Sequence, residues 1–458
     1  MIGDLRRPLM YLYGLIPPRI RYGNIFWETY GFLEKSQWWE KPQMEFYQLG
    51  QLNQLLTHAY AQVPYYREVF DERGLKPEDI KRLEDLEKLP FLTKEIIRER
   101  LPDLIALNFS KGEISALTTG GSTGFPLKFY RDEKKDKQRE KAFIRMLWKR
   151  AGFNLSDTRI ILCGIVPESA KNGKFWQYAP SENALILSSY HMDGATLPVY
   201  VEKIRRFKPD FIHCYPSSIT LLGSFMKQSK ISPFPTVRAL LCGSESLYPA
   251  QRRFLEEVFQ CRVFNFYGHS EHAVLGGECE ESNYCHLFPE YGITELIDFE
   301  GKRIEGEDQK GEIVATGFGN YVMPFIRYKT NDLGTFAEQI CHCGRKGPMV
   351  KQIDGRLQDF FVSVQGNYLP LTGVADRVIS MTTNNIFKAQ FYQDRPGCVV
   401  LKIVRMPHYS GSDSVKIMDM LTKRYGELLT FKIEFVEDIP RTLAGKHNFL
   451  IQKLPIKL

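Results

Sequence analysis

"LTTGGSTGFPLKFYRD" (residues 117–132) sets three glycines and four hydroxyl residues into the eight positions from Thr118 to Phe125, between a strand-like run and a charged one. Glycine lets a backbone come close to a ligand and take φ > 0. Hydroxyls beside uncovered N–H groups make a nest of donors suited to phosphate. The stretch is therefore either a phosphate-holding loop formed by Thr119, Gly120, Gly121, Ser122, Thr123 and Gly124, or a surface turn, since Gly, Ser and Thr dominate turns in any case. The rest of the chain has to decide between them.

At 458 residues, 43% of them hydrophobic, the chain is long enough for two or three domains with large cores. A formal net charge of +7 is small for this length, and the charged run "RDEKKDKQREK" (131–141) carries both signs, so it reads as a solvated helix face and not as a nucleic-acid patch. Nine cysteines, an odd number, do not make a disulfide framework and point to a reducing compartment, the cytoplasm. No stretch approaches the roughly 20 apolar residues that span a bilayer. The nearest, "LMYLYGLI" (9–16), lies between Arg6, Arg7 and Arg19 and stops at Pro17-Pro18. It reads as a helix packed on the body, with peripheral contact to a membrane surface as the alternative.

Residues 1–100 form a mainly helical lead-in: "MEFYQLGQLNQLLTHAY" (44–60) has apolar positions at helical spacing, and Thr93 is placed to cap a helix at "LTKEIIRER". The middle alternates strand-like runs with helices ("RIILCGI", "FIHCYPSSITLLGSFMKQ", "RALLCGSESLYPAQRRFLEEVF", "RVFNFYG"), the rhythm of a mostly parallel sheet covered by helices. "YGITELIDFEG" and "KGEIVATGF" then read as hairpin strands of a β-rich subdomain around "GEDQKGE". After "DGR" (354–356) the pattern changes to short strands and one helix, a small α+β domain. The expected architecture is α/β, with a large N-terminal domain over 1–357 and a mobile C-terminal domain over 358–458.

The opening loop lacks the Gly-Lys-Ser/Thr of a P-loop, because Phe125-Pro126 follow Gly124. It resembles instead the phosphate loop of adenylate-forming enzymes, and four further elements follow in that family's order: "YGHSE" (267–271), "RYKTNDLG" (327–334), "DGRLQD" (354–359) and "RTLAGK" (441–446). With "VPYYREVF" (63–70) and "LPFLTKE" (89–95) upstream, nearly the whole chain resembles the phenylacetate–CoA ligase family, most closely its CapK-like branch associated with capsular polysaccharide synthesis.

The resemblance implies an acid–thiol ligase that uses ATP, Mg²⁺ and CoA on a small-molecule carboxylic acid. Ser122, Thr123 and the glycine amides would embrace the β- and γ-phosphates. Glu271 would reach the Mg²⁺ on the phosphate oxygens, and Tyr267, beside Gly268, would lie against adenine or the acyl group. Asp332 would accept hydrogen bonds from the ribose hydroxyls with Arg356 nearby, and Gly243, Ser244 and Glu245 of "CGSES" would border the adenine. Lys446 would set its ammonium between α-phosphate and carboxylate, where charge develops. The C-terminal domain would rotate near Gln358 and Asp359, closing first for adenylation and then for thioester formation. Two positions depart from the family pattern: Asn331 stands where Gly is usual, which Asn's tolerance of the left-handed region accommodates, and Gln358 stands where an acidic hinge residue is common.

The cysteines pose a separate question. Cys279-x₅-Cys285-His286 and Cys341-x-Cys343 are two closely spaced pairs, the second followed by "GRK", and they are either a soft tetrahedral Zn²⁺ site or buried thiols. His286 is the alternative to one of the four thiolates. The remaining five cysteines fall in or beside apolar runs and read as core. Two other functions stay open: an adenylating amide or ester ligase with an amine or sugar acceptor, and a catalytically silent nucleotide-binding scaffold.

Overall fold

The computed structural model describes residues 17–119, 127–304, 306, 309–337, 341–356, 360–371, 378, 385–442 and 445–454. Gly120, Gly121, Ser122, Thr123, Gly124, Gln358, Asp359 and the run at 9–16 lie outside them. The chain divides into two compact units, one of Pro17–Leu155 with Asn265–Ile353, the other of Ser156–Phe264 with Asp354–Leu458.

In the unit of Pro17–Leu155 and Asn265–Ile353, the helical lead-in appears as Asn24–Ser36, Lys41–Gln62, Pro64–Glu72 and Lys94–Glu99. Thr93 caps the last of these, its Oγ1 accepting the Ile96 N–H at 3.3 Å. Strands Gly292–Ile297 and Lys310–Gly317 pair antiparallel, as the turn signal between them implies, and Lys310–Gly317 pairs antiparallel with Tyr328–Phe336. Their inward faces, with Leu296, Ile313, Ala315 and Tyr328, close a core with Leu55, Phe70 and Phe129. The charged run behaves differently from the expectation of a solvated face. It opens the helix Glu133–Lys149, but Asp136 is buried and pairs with Arg131 at 3.0 Å. Arg131 sits on the strand Lys128–Arg131, so the run's first charges are used internally.

In the other unit, strands Arg159–Leu162, Ala184–Leu187, Phe211–Cys214 and Ala239–Gly243 pair parallel, with Trp176–Ala179 antiparallel at one edge. Helices Thr196–Phe207, Pro216–Gln228 and Pro249–Phe259 connect them, and their apolar stripes bury Tyr200, Leu222 and Leu255. This is the strand–helix alternation read from the sequence, carried out as a parallel sheet. The same unit holds the C-terminal four-stranded sheet, in the order Thr430–Phe435, Cys398–Arg405, Ile386–Arg395, Leu450–Gln452. Helix Gly411–Tyr425 contributes Ile417, Leu421 and Tyr425 to a core shared with Phe391, Leu401 and Phe431. Among the described residues no helix is long and apolar enough to cross a membrane.

Candidate active site

The loop that opened the sequence reading lies between antiparallel strands Ser115–Thr118 and Lys128–Arg131. Thr119 closes its mouth twice: its N–H donates to the Leu127 carbonyl, and its Oγ1 accepts the Leu127 N–H, both at 2.9 Å. In the same unit, Tyr267 ends the strand Arg262–Gly268 and donates its hydroxyl to Asp332 Oδ2 at 2.7 Å. Burial and the facing carboxylate push the Tyr267 phenol well above its ordinary value, so it stays a donor. Asp332 is held further by its own N–H on Thr330 Oγ1. Asn331 before it takes φ 64°, the left-handed conformation that Asn accepts in place of Gly, and donates its N–H to Glu312 at 3.1 Å. At Gly268 an added Cβ would lie 2.9 Å from Leu275 Cδ1, so the strand end is closely packed.

Glu271, 7% exposed, accepts the Tyr328 hydroxyl at 2.7 Å and lies 3.4 Å from His269 Nδ1. Burial opposes its ionisation, but the His269 ring and the Tyr328 hydroxyl outweigh it and hold the carboxyl well below the usual range. The turn after Glu271 is anchored by buried charge: His272 Nδ1 is 3.1 Å from Asp136 Oδ1, and the Tyr291 hydroxyl donates to Glu140 at 2.6 Å on the same helix.

In the second unit, Gly243 ends a fully buried strand and Ser244 follows at φ 68°. Glu245 is committed to protein donors. Its carboxylate accepts the N–H of Ser217 at 2.9 Å, the Ser217 hydroxyl at 3.0 Å and the N–H of His447 at 2.8 Å. Arg441 bridges the same place, donating to Ser217 Oγ at 3.0 Å and to the Gly445 carbonyl at 2.9 Å. The turn that carries Lys446 is closed by Thr442, whose Oγ1 accepts the Lys446 N–H and whose own N–H donates to the Lys446 carbonyl. Gly445 takes φ 74°, and a Cβ there would meet Gly164 Cα at 2.8 Å and Tyr190 Cζ at 2.9 Å. Only glycine fits both the backbone and the space. Arg356 ends the strand Met349–Arg356.

The structure brings Cys279, Cys341 and Cys343 together with His286, all four ligand atoms within 4.8 Å of one another. Cys285, expected among them, is not. Successive side chains of the strand Cys285–Leu287 point to opposite faces. Cys285 therefore turns into the apolar core, over Gly276, where an added Cβ would lie 2.8 Å from its Sγ.

Sequence reasoning missed Tyr328, Ser217, Arg441 and His447 as holders of the site. Tyr328 and Arg441 lay inside quoted motifs, "RYKTND" and "RTLAGK", and that position was their only signal. Ser217 and the backbone of His447 carried none.

Residues 184–324 match the AMP-binding enzyme family and residues 361–453 the CapK C-terminal domain. Protein CapK of Staphylococcus aureus is 27% identical over 394 residues, covering 85% of each chain. The phenylacetate-coenzyme A ligase of Thermus thermophilus is 26% identical over 327 residues, 70% of this chain and 72% of its own. Among solved structures, 2-hydroxyisobutyryl-CoA ligase in the postadenylation state in complex with 2-HIB-AMP superposes with a TM-score of 0.73, at 19% identity, over 92% of this chain and 93% of that one, a likeness of fold. The fold and these matches together define an adenylate-forming ligase. Within that class the chain is similar to Protein CapK and to phenylacetate-coenzyme A ligases, and its C-terminal part matches the CapK C-terminal domain.

Proposed function

We propose that the chain joins a carboxylic acid to the α-phosphate of ATP and then hands the acyl group to the thiol of CoA. A carboxylate oxygen attacks the α-phosphorus while its bond to the pyrophosphate oxygen breaks. The thiol sulfur then attacks the acyl carbonyl carbon, loses its proton, and AMP departs. The supporting observation is the docking of the Lys446 turn on the "CGSES" segment. Glu245 holds the His447 N–H across 202 residues of sequence, and Arg441 ties Ser217 to Gly445. A charge meant for the α-phosphate has to be held in register with the nucleotide, and here one carboxylate positions both segments.

In this reading Asp332 takes the ribose hydroxyls with Arg356 near it, Tyr267 lies against adenine or acyl group, and the backbone at Gly243 and Ser244 borders the adenine. Glu245 contributes by holding that backbone. Glu271, an ionised oxygen donor fixed by Tyr328, fits a hard cation, and Mg²⁺ bound there would neutralise phosphate charge. Thr119 and the amides of 120–124 hold the β- and γ-phosphates. Gly124→Val is accordingly expected to weaken ATP binding more than Ser122→Ala does, measured by calorimetric titration. Equal affinities in the two variants and the wild type would make the loop a plain turn. The C-terminal domain is taken to rotate between half-reactions, and the setting to be the cytoplasm.

A second reading is transfer of the acyl group to an amine or sugar. Pyrophosphate release from a panel of carboxylic acids, with and without CoA, separates the two. Acyl-CoA formation supports the thiol ligase. Acyl-adenylate without thioester points to the amide or ester ligase, and no pyrophosphate from any acid would leave a silent scaffold.

A further inference from the structure

We propose that Cys279, His286, Cys341 and Cys343 bind a structural zinc ion, through three thiolates and His286 Nε2. None of the four belongs to the motifs that carry the ligase chemistry, so the site stands independently of it. Cys279 Sγ is 3.5 Å from Cys341 Sγ, and His286 Nε2 is 4.0 Å from Cys343 Sγ. A tetrahedral ion with Zn–S of about 2.3 Å and Zn–N of about 2.0–2.1 Å sets its ligand atoms roughly 3.6–3.8 Å apart. The observed spacings bracket those values. A disulfide would need sulfurs about 2.05 Å apart and would leave the other thiol and the imidazole without a purpose.

Backbone N–H groups are aimed at all three sulfurs, the outer support that metal-bound thiolates take. The N–H of Glu281 points at Cys279 Sγ at 3.4 Å, that of Cys343 at Cys341 Sγ, and that of Arg345 at Cys343 Sγ. In each case the donor is two residues after the cysteine. A neutral thiol is a weak acceptor, whereas sulfur carrying charge repays an aimed N–H. Three thiolates, an imidazole and Zn²⁺ leave a net negative charge, and the buried Arg345 guanidinium lies against Cys343 to meet it. His286 is 1% exposed, and its Nδ1 has no hydrogen-bond partner among the described residues. Nε2, the ring nitrogen that faces Cys343 Sγ, is the one placed to bind a metal.

The ion would staple the turn between strands Leu275–Gly277 and Cys285–Leu287 to the segment between Tyr328–Phe336 and Met349–Arg356. That segment follows directly on the strand that carries Asp332. The four ligands come from two stretches of chain far apart in sequence, so closing them on a metal converts binding energy into stability of this subdomain.

Full-length protein, expressed with zinc supplied and purified without chelator, is expected to carry about one zinc per chain by elemental analysis. Cys341→Ser should lose most of it, and Cys285→Ser should keep it. Substitution with Co²⁺ should produce the visible absorption of a tetrahedral thiolate site, and His286→Cys should retain the metal with stronger thiolate-to-cobalt charge transfer. Because Cys341→Ser could fail by misfolding, the cobalt spectrum of the folded His286→Cys protein keeps the test decisive. A folded, zinc-free wild-type protein whose cysteines react equally with and without added Zn²⁺ would overturn the proposal. So would loss of zinc in Cys285→Ser, or an unchanged cobalt spectrum in His286→Cys.

Discussion

Lys446→Ala is expected to fold normally and bind ATP, yet to lose acid-dependent pyrophosphate formation by about 10²–10³-fold, roughly 3–4 kcal/mol in the barrier. The magnitude is that of removing one charge aimed at a developing negative centre. Normal folding is expected because the turn is closed by backbone groups and not by the ammonium: Thr442 bonds both the N–H and the carbonyl of Lys446, and Gly445 and His447 on either side are tied to Arg441 and Glu245. The second half-reaction supplies the contrast. Given chemically made acyl-adenylate, the variant should still transfer the acyl group, since under the proposed mechanism the lysine has rotated away by then. Adenylation at the wild-type rate would refute the assignment, and failure of both half-reactions would make Lys446 an organiser of the whole site.

The largest effect on stability is expected at the other end of the "RYKTND" motif. Arg327 and Glu295 are 4% and 2% exposed and form a two-pronged ion pair, Nη2 to Oε1 at 2.9 Å and Nε to Oε2 at 3.1 Å. Arg327 spends its third nitrogen on the Leu89 carbonyl at 2.8 Å. Glu295→Ala strands a guanidinium in the core, which costs about 3–5 kcal/mol because nothing replaces water or the carboxylate around it. The urea midpoint should fall accordingly with little change in slope. Lys302→Ala, breaking an exposed pair with Glu300, should shift the midpoint by less than about 0.5 kcal/mol. Equal effects in the two variants would mean that burial does not govern these pairs. Arg327 itself takes φ 48° immediately before Tyr328, so the pair also fixes where the strand carrying Asp332 begins.

Several features were legible without coordinates because they are local. Thr93 caps a helix by its position before one, and strand–helix alternation specifies a parallel sheet. Asn331, standing where the resembled family has Gly, was expected to tolerate a left-handed backbone, and it takes one. The reading of "RDEKKDKQREK" as a solvated helix face missed Asp136, because a charge pattern does not say which charge finds a buried partner. Asp136 meets Arg131 across a strand-to-helix turn and His272 from a distant segment.

By itself the sequence determined the class: five motifs in order point to an adenylate-forming ligase, and the matches to known proteins agree. Tertiary structure alone decided which neighbours hold those residues. The carboxylate of Glu245, in the segment expected to border the adenine, is held by Ser217 and His447. Cys285 was expected at a metal, but strand alternation sends it into the core and turns His286 to the thiols. The reason is the same in both cases. A side chain's chemistry is set by its residue type, but its partners are set by which face it occupies and what the fold carries there, and those contacts join positions tens to hundreds of residues apart.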